Sequence, residues 1–129
     1  MTVLEDAADH LEDNGLGTVG QDIFLSVLPQ SPDACTALFE YAGSSPRETM
    51  GAMLARPRLQ LVRRGARDDY PGARDGALDA LAVLAAVVDA TWASGRVLRI
   101  APVAWINDMG RDEKDRPLVS VNFEVVADA

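Results

Sequence analysis

The feature that most constrains the fold is a strict alternation of apolar and polar side chains near the end of the sequence. Over residues 118–126, four large apolar residues alternate with polar ones: Val119, Val121, Phe123 and Val125 on one side, with Ser120, Asn122 and Glu124 on the other. Such a period of two is typical of a strand that buries only one face. The sequence therefore predicts a strand over residues 118–126 that packs its valine-rich face on a core.

The other elements are predicted from periodicity and from turn residues. Helices are predicted over residues 2–14 and 71–93, and strands over residues 22–28, 34–42, 58–64 and 96–107. Pro29 and Pro32 lie between the first two strands and predict a hairpin there. Residues 43–56 fit either a short helix, capped by Ser45 with Pro46 in its first turn, or a loop.

This order of elements, α-β-β-β-α-β-β, predicts a single α+β domain over residues 1–129. Helices and strands that are segregated in this way favour a mostly antiparallel five-stranded sheet with helices packed on one face. The 129 residues are a usual length for one domain.

The helix predicted over residues 71–93 carries more apolar surface than one sheet needs. A core stripe at helical spacing comprises Ala77, Leu78, Leu81, Leu84, Ala85 and Val88. Val83 and Val87 lie off this stripe, so we expect them to face the first helix or another subunit. Trp92 and Trp105 are expected to anchor the core or an interface.

The charge balance argues against a nucleic-acid-binding or membrane protein. The formal net charge is −8, and the one arginine-rich stretch, residues 56–67, is followed by Asp68 and Asp69. Tight binding to nucleic acid needs a clustered basic surface. The longest apolar segment, residues 77–90, is too short to span a bilayer and contains Asp79 and Asp89. These features predict a protein that is made in the cytoplasm.

No catalytic constellation is evident, and we predict that the chain is not an enzyme. Cys35 and His10 are the only cysteine and histidine, and they belong to different predicted elements. One acidic loop, with Asp108, Asp112, Glu113 and Asp115, has the oxygen ligands that Mg²⁺ or Ca²⁺ prefers. Arg111, Lys114 and Arg116 alternate with these carboxylates and neutralise them, so a solvated hairpin is favoured over a metal site. No cofactor is predicted.

Two stretches resemble tail terminator and minor capsid proteins of long-tailed bacteriophages. One is the Tyr-Pro-Gly-Ala-Arg run at residues 70–74, with the apolar helix that follows it. The other is Gly-Arg-Asp-Glu-Lys-Asp-Arg-Pro at residues 110–117, followed by Leu-Val-Ser-Val-Asn-Phe-Glu-Val. The resemblance covers residues 57–126, and the preceding segment matches only in its layout of a helix followed by strands.

The resemblance implies a structural protein of the virion, located at the junction of tail and head. Such subunits assemble as a homohexameric ring on the finished tail tube, stop its growth and present a surface to the head connector or neck protein. Genome DNA would pass through the lumen without tight binding. Candidate residues for a subunit or partner interface are Arg111, Asp112, Arg116, Val83 and Val87. We expect charge reversal in the loop at residues 110–116 to disturb assembly more than folding.

Three alternatives remain at this level. A head-completion or other neck protein would also be a small ring-forming subunit. A small cytoplasmic enzyme would use the loop at residues 108–115 to hold a metal ion. A binding module unrelated to phage would share only the composition.

Overall fold

The computed structural model describes residues 2–43, 47–49 and 52–128. Within them the chain forms two helices and nine strands that belong to one sheet. In chain order these elements are α1 (Val3–Asp13), β1 (Ile23–Leu25), β2 (Cys35–Tyr41), β3 (Arg47–Thr49), β4 (Ala52–Ala55), β5 (Arg58–Arg64), α2 (Tyr70–Ala85), β6 (Val88–Trp92), β7 (Gly95–Pro102), β8 (Asn107–Arg111) and β9 (Pro117–Asp128). The α+β class is confirmed, whereas the five-stranded sheet and the predicted order of elements are wrong.

Strand β9 is the centre of the sheet. One of its edges pairs antiparallel with β5, where Leu61 lies opposite Val121, and with β4 near its end. Its other edge pairs with β7, where Ile100 lies opposite Val125, and with β8. The alternation predicted for residues 118–126 is confirmed, because Val119, Val121, Phe123 and Val125 are all buried. A strand paired on both edges needs no turn residue inside it, and this explains its length.

The predicted hairpin between the first two strands is wrong. Strand β1 pairs with β2 in parallel, with Ile23 opposite Thr36. Residues 26–34 therefore carry the chain back to the starting end of β1 before β2 begins. The turn residues were recognised, but two arginines from distant strands hold this segment in place, as described below, and that contact is invisible to local turn chemistry.

The segment left open between a short helix and a loop contains a β-hairpin instead. Strands β3 and β4 pair antiparallel, and β4 continues the sheet onto the end of β9. The predicted cap, Ser45, and the proline that follows it lie outside the described residues. Pairing with the distant β9 stabilises an extended conformation that the local sequence did not favour.

Helix α1 forms as predicted. The Thr2 hydroxyl accepts a hydrogen bond from the backbone N–H of Glu5 at 3.2 Å, which satisfies one free donor at the helix start. Leu4, Ala7, Ala8 and Leu11 are buried. The helix packs this face against β1, β2 and α2.

Helix α2 ends at Ala85, eight residues before the predicted end at residue 93. Asp69 caps its start by accepting from the backbone N–H of Gly72 at 3.0 Å. Beyond the helix, residues 88–92 form strand β6 and pair with β7. Asp89 has a φ of 52°, which a right-handed helix cannot accommodate. The β-branched and aromatic residues of this segment suit a strand once β7 is available as a partner.

The core lies between the helices and one face of the sheet. Helix α2 contacts β9, β5 and β7 through a stripe of small residues and one large one, Ala73, Ala77, Ala80 and Leu84. The predicted stripe is thus correct at Ala77 and Leu84 but wrong at Val88, which is 71% exposed on β6. The alanines bring the helix axis close to the strands beneath it.

Candidate assembly surface

The turn between β8 and β9 is fixed by the carboxylate of Asp112. Its Oδ1 accepts from the backbone N–H groups of Lys114 at 2.9 Å and Arg116 at 3.0 Å, and its Oδ2 accepts from Arg116 Nε at 2.7 Å. Burial opposes ionisation of Asp112, but these donors outweigh it and hold the pKa of the carboxyl below its ordinary value. Asp112 is therefore a structural anion of the turn.

Arg116 is buried, with only 2% of its surface exposed. Besides Asp112 it donates from Nη1 to the carbonyl of Gln30 at 2.6 Å and to Asp33 Oδ1 at 3.1 Å. Burial alone would lower the pKa of Arg116, but the hydrogen bonds to Asp112 and Asp33 raise it. The guanidinium therefore links the β8–β9 turn to the segment that precedes β2.

A second buried arginine holds the same segment. Arg64, at the end of β5, donates from Nε to the carbonyl of Asp33 at 2.8 Å and from Nη2 to that of Pro32 at 2.7 Å. The guanidinium of Arg64 has five N–H donors, so it can bind both carbonyl groups at once. The sequence shows Arg64 only as part of an arginine-rich stretch, because its position opposite the buried Cys35 depends on the pairing of β2 with β5.

The exposed part of the β8–β9 turn is ion-paired across to the start of α2. Arg111 pairs with Asp68, and Arg67 lies 3.8 Å from Asp68 and 3.7 Å from Asp115. These side chains are at least half exposed or nearly so. Exposed pairs of this kind contribute little to stability, about 0–1 kcal/mol each. They form a mixed-charge surface of the protomer.

The five predicted interface residues are thus not equivalent. Arg111 is exposed, Asp112 is partly buried, and Arg116 is inside the protomer. Val83, on α2, is partly buried, and Val87, two residues after the helix, is only 5% exposed and belongs to the core. Because the helix ends before Val87, the helical phase that placed this residue off the core stripe does not apply to it. The three residues that are exposed at least in part, Arg111, Asp112 and Val83, remain candidates for a subunit or partner interface.

The acidic loop does not assemble a metal site among the residues that the structure describes. No group of three or more potential ligands comes together there. Asp108 accepts from the backbone N–H of Gly110 at 2.9 Å, and Asp112 and Asp115 face arginines. Asp108 and Asp112 thus have partners within the turn, and Asp115 pairs with Arg67 before α2.

Most arginines of residues 56–67 contact partners within the protomer. Arg56 pairs with Glu124 at 2.6 Å, and Arg63 donates to Thr36 Oγ1 at 3.0 Å. Arg64 is buried and Arg67 faces carboxylates, as described above. Four of the five arginines in this stretch thus have partners within the protomer, whereas the buried Nε of Arg58 has none among the described residues.

The lone cysteine and histidine stay apart in the structure. Cys35 is fully buried on β2, and burial raises the pKa of its thiol. His10, on α1, lies against Trp92 with ring centroids 5.6 Å apart. A thiol that is buried and held in its neutral form is a poor nucleophile.

Two apolar surfaces were missed in the sequence. The first, which we call the apolar arm, is residues 103–109, which comprise the connection after β7 and the start of β8. In it Val103, Trp105 and Met109 are 46%, 64% and 47% exposed. The second, the α1–α2–β6 groove, is a depression of about 500 Å³ that is lined mostly by alanine and valine. Trp105 was expected to anchor a core or an interface, and its exposure leaves it free for an interface.

These two apolar surfaces are exposed on the protomer, whereas most of the charges of the β8–β9 turn are paired within it. Such exposed apolar surface is typical of a subunit that assembles with others.

No helix within the described part of the chain is long and apolar enough to cross a membrane. A search of curated proteins finds no match. Among solved structures, the chain is similar to one in the virion of a native gene transfer agent particle, at 12% identity and a TM-score of 0.74, covering 98% of this chain and 95% of that one. This likeness shows a shared fold.

A family model described as bacteriophage tail terminator protein matches residues 10–129. The chain therefore belongs to the bacteriophage tail terminator family, a class of structural proteins of phage tails. The tail terminator resemblance is confirmed, and over a longer span than residues 57–126, because the match also includes the last turn of α1 and the first strands. The match names tail terminators and does not extend to minor capsid proteins.

Proposed function

We propose that this chain forms a homohexameric ring at the head-proximal end of the tail tube, where it stops tail growth and joins the tail to the head. The observation that carries the proposal is the family match over residues 10–129. In this role its partners are other copies of itself, the tail tube protein and a head connector or neck protein. The protein would be made in the host cytoplasm and incorporated in the virion.

The surface of the protomer supports this role. A ring of identical subunits needs two different patches that fit each other on every copy. The apolar arm and the α1–α2–β6 groove are two exposed apolar surfaces with no residue in common. Edge strands such as β6 and β8, each paired on one side only within the described sheet, offer further backbone groups for contacts.

The charge of the chain suits a ring through which DNA passes. With a net charge of −8, six copies would carry a large negative charge, which repels phosphate and prevents tight binding. Within residues 56–67, Arg56, Arg63, Arg64 and Arg67 have partners inside the protomer, so these four do not form a free cluster of cations for phosphate.

The test is assembly on tail tubes. Purified protein is mixed with tubes of the tail tube protein from the same phage, and mass is measured by light scattering while tube ends are imaged by negative stain. We expect hexamers, formed alone or on the tubes, that cap one end and stop elongation. A protein that stays monomeric in every mixture and never caps a tube would refute the proposal. Rings that bind heads and ignore tubes would instead favour a head-completion protein.

A further inference from the structure

Backbone contacts on both sides of Trp105 anchor the apolar arm to β9. On one side of Trp105, the backbone N–H of Val103 donates to the carbonyl of Asn122 at 2.8 Å; on the other side, β8 pairs with β9 from Asn107 onward. Ile106, next to the tryptophan, packs partly against the core. An aromatic side chain presented on a rigid segment loses little conformational freedom on binding, so it makes an efficient anchor.

The α1–α2–β6 groove is a matching receptor. Small side chains at the end of α2 and just after it line this groove, namely Ala82, Val83 and Ala86, together with Val88 of β6, which is 71% exposed. Its volume of about 500 Å³ falls within the range that encloses a drug-sized apolar ligand. An isolated protomer leaves this surface in water, at a cost that a partner would remove.

Polar groups at the rim match those of the arm. Asn14 donates its amide N–H to the carbonyl of His10 at 2.8 Å, and its amide oxygen can accept from an indole N–H. His10 also lines the groove, and Asp108, an exposed carboxylate, lies on the arm near Trp105. An N–H of the His10 ring can donate a hydrogen bond to such a carboxylate.

We infer that Trp105 of one copy inserts in the α1–α2–β6 groove of the next copy, and that this contact closes the ring. The inference rests on the proposed function, since it names the subunit contact of that ring. A second copy is the occupant that the structure favours, because knob and receptor are both on the same chain, are both apolar and share no residue, as a head-to-tail contact between identical subunits requires.

Disulfide cross-linking tests the contact directly. Ala104 and Ala86 are both exposed, one beside Trp105 and the other in the groove, and both accept cysteine without loss of the tryptophan. The double variant Ala104→Cys/Ala86→Cys is assembled with tail tubes, oxidised and run on a non-reducing gel. We expect a ladder of covalent multimers. The native Cys35 is fully buried and stays out of the reaction.

The matched control is Ala104→Cys/Ala66→Cys, since Ala66 is exposed on a loop outside the groove. It should give no ladder. In parallel, Trp105→Ser should weaken ring formation at least about 30-fold, which corresponds to loss of one interface anchor of about 2 kcal/mol. Circular dichroism of the monomer should be unchanged, because Trp105 is not part of the core.

The outcomes separate the contact from the ring. Rings of Ala104→Cys/Ala86→Cys that give no ladder, or Trp105→Ser rings of normal stability, would overturn the contact and leave the proposed function standing. If Trp105→Ser rings form normally but no longer bind tubes, the apolar arm contacts the tail tube protein instead. This result would also overturn the proposed contact between subunits. A wild-type protein that forms no ring with tubes would overturn both.

Discussion

Replacing Leu84 by alanine tests how α2 is seated on the sheet. Leu84 is fully buried and is the one large residue on a helix face that otherwise contributes alanines to the core. The substitution removes the equivalent of three methylene groups from the core, or about 2.4 kcal/mol of transfer free energy. A cavity term adds to this, and Leu→Ala changes in cores span about 2–5 kcal/mol.

The neighbours of Leu84 place the expected loss in the upper part of that range. Ala80 and Ala77, one and two turns before it on the same helix face, have no side-chain torsions with which to fill a void. We therefore expect a destabilisation of about 3–5 kcal/mol. With an unfolding entropy of about 2.1 cal/mol/K per residue, 129 residues correspond to a fall in Tm of about 11–18 °C.

The assay is urea unfolding of the monomer followed by circular dichroism, together with a thermal melt. The matched control is Val88→Ala, four residues further along on β6, where the side chain is 71% exposed and the change should stay within about 0.5 kcal/mol. Equal effects of the two substitutions, or a loss below about 0.5 kcal/mol for Leu84→Ala, would refute the packing of α2 described above. An altered urea slope would signal a change in the unfolded or native ensemble instead.

Three further predictions concern the charged groups. Asp112→Lys should lower the free energy of unfolding of the monomer, because the new lysine would repel the buried Arg116. The control is Glu113→Lys at the next, exposed position, which should leave the free energy of unfolding nearly unchanged in the same urea assay. For Asp112 we therefore expect an effect on folding besides the effect on assembly that the sequence predicts for this loop. Because the folded-state pKa of Asp112 is depressed, its contribution to stability is present above the ordinary value of 3.8 and is lost as pH falls through the lower folded value. Stability between pH 5 and pH 2 should therefore fall more steeply for wild type than for Asp112→Asn, and parallel curves would contradict the assignment. The isolated protein should bind duplex DNA no tighter than roughly 10⁻⁴ M at physiological salt, as measured by fluorescence anisotropy, and micromolar, salt-sensitive binding would contradict this.

Local sequence determined those elements whose pattern reports burial directly. The alternation in residues 118–126 identified the central strand β9, residues 58–64 match β5 without correction, and the apolar stripe and Thr2 cap identified α1. Periods of two and of 3.6 residues follow from the geometry of a single strand or helix, so they can be read without knowing what lies opposite. The charge, the lone cysteine and the resemblance to tail terminators also came from sequence alone.

Only the tertiary structure decided which segments pair and which polar groups are buried. Residues 88–92 continue an apolar run that suits a helix, and they form a strand because β7 satisfies their backbone groups. Strands β1 and β2 lie parallel because Arg64 and Arg116 hold the carbonyls of the segment between them. From the sequence alone, both arginines were interpreted as surface charges. A buried cation is stable only when hydrogen-bond and ion-pair partners surround it. For Arg64 and Arg116 most of these partners are distant in sequence and come together only in the folded chain.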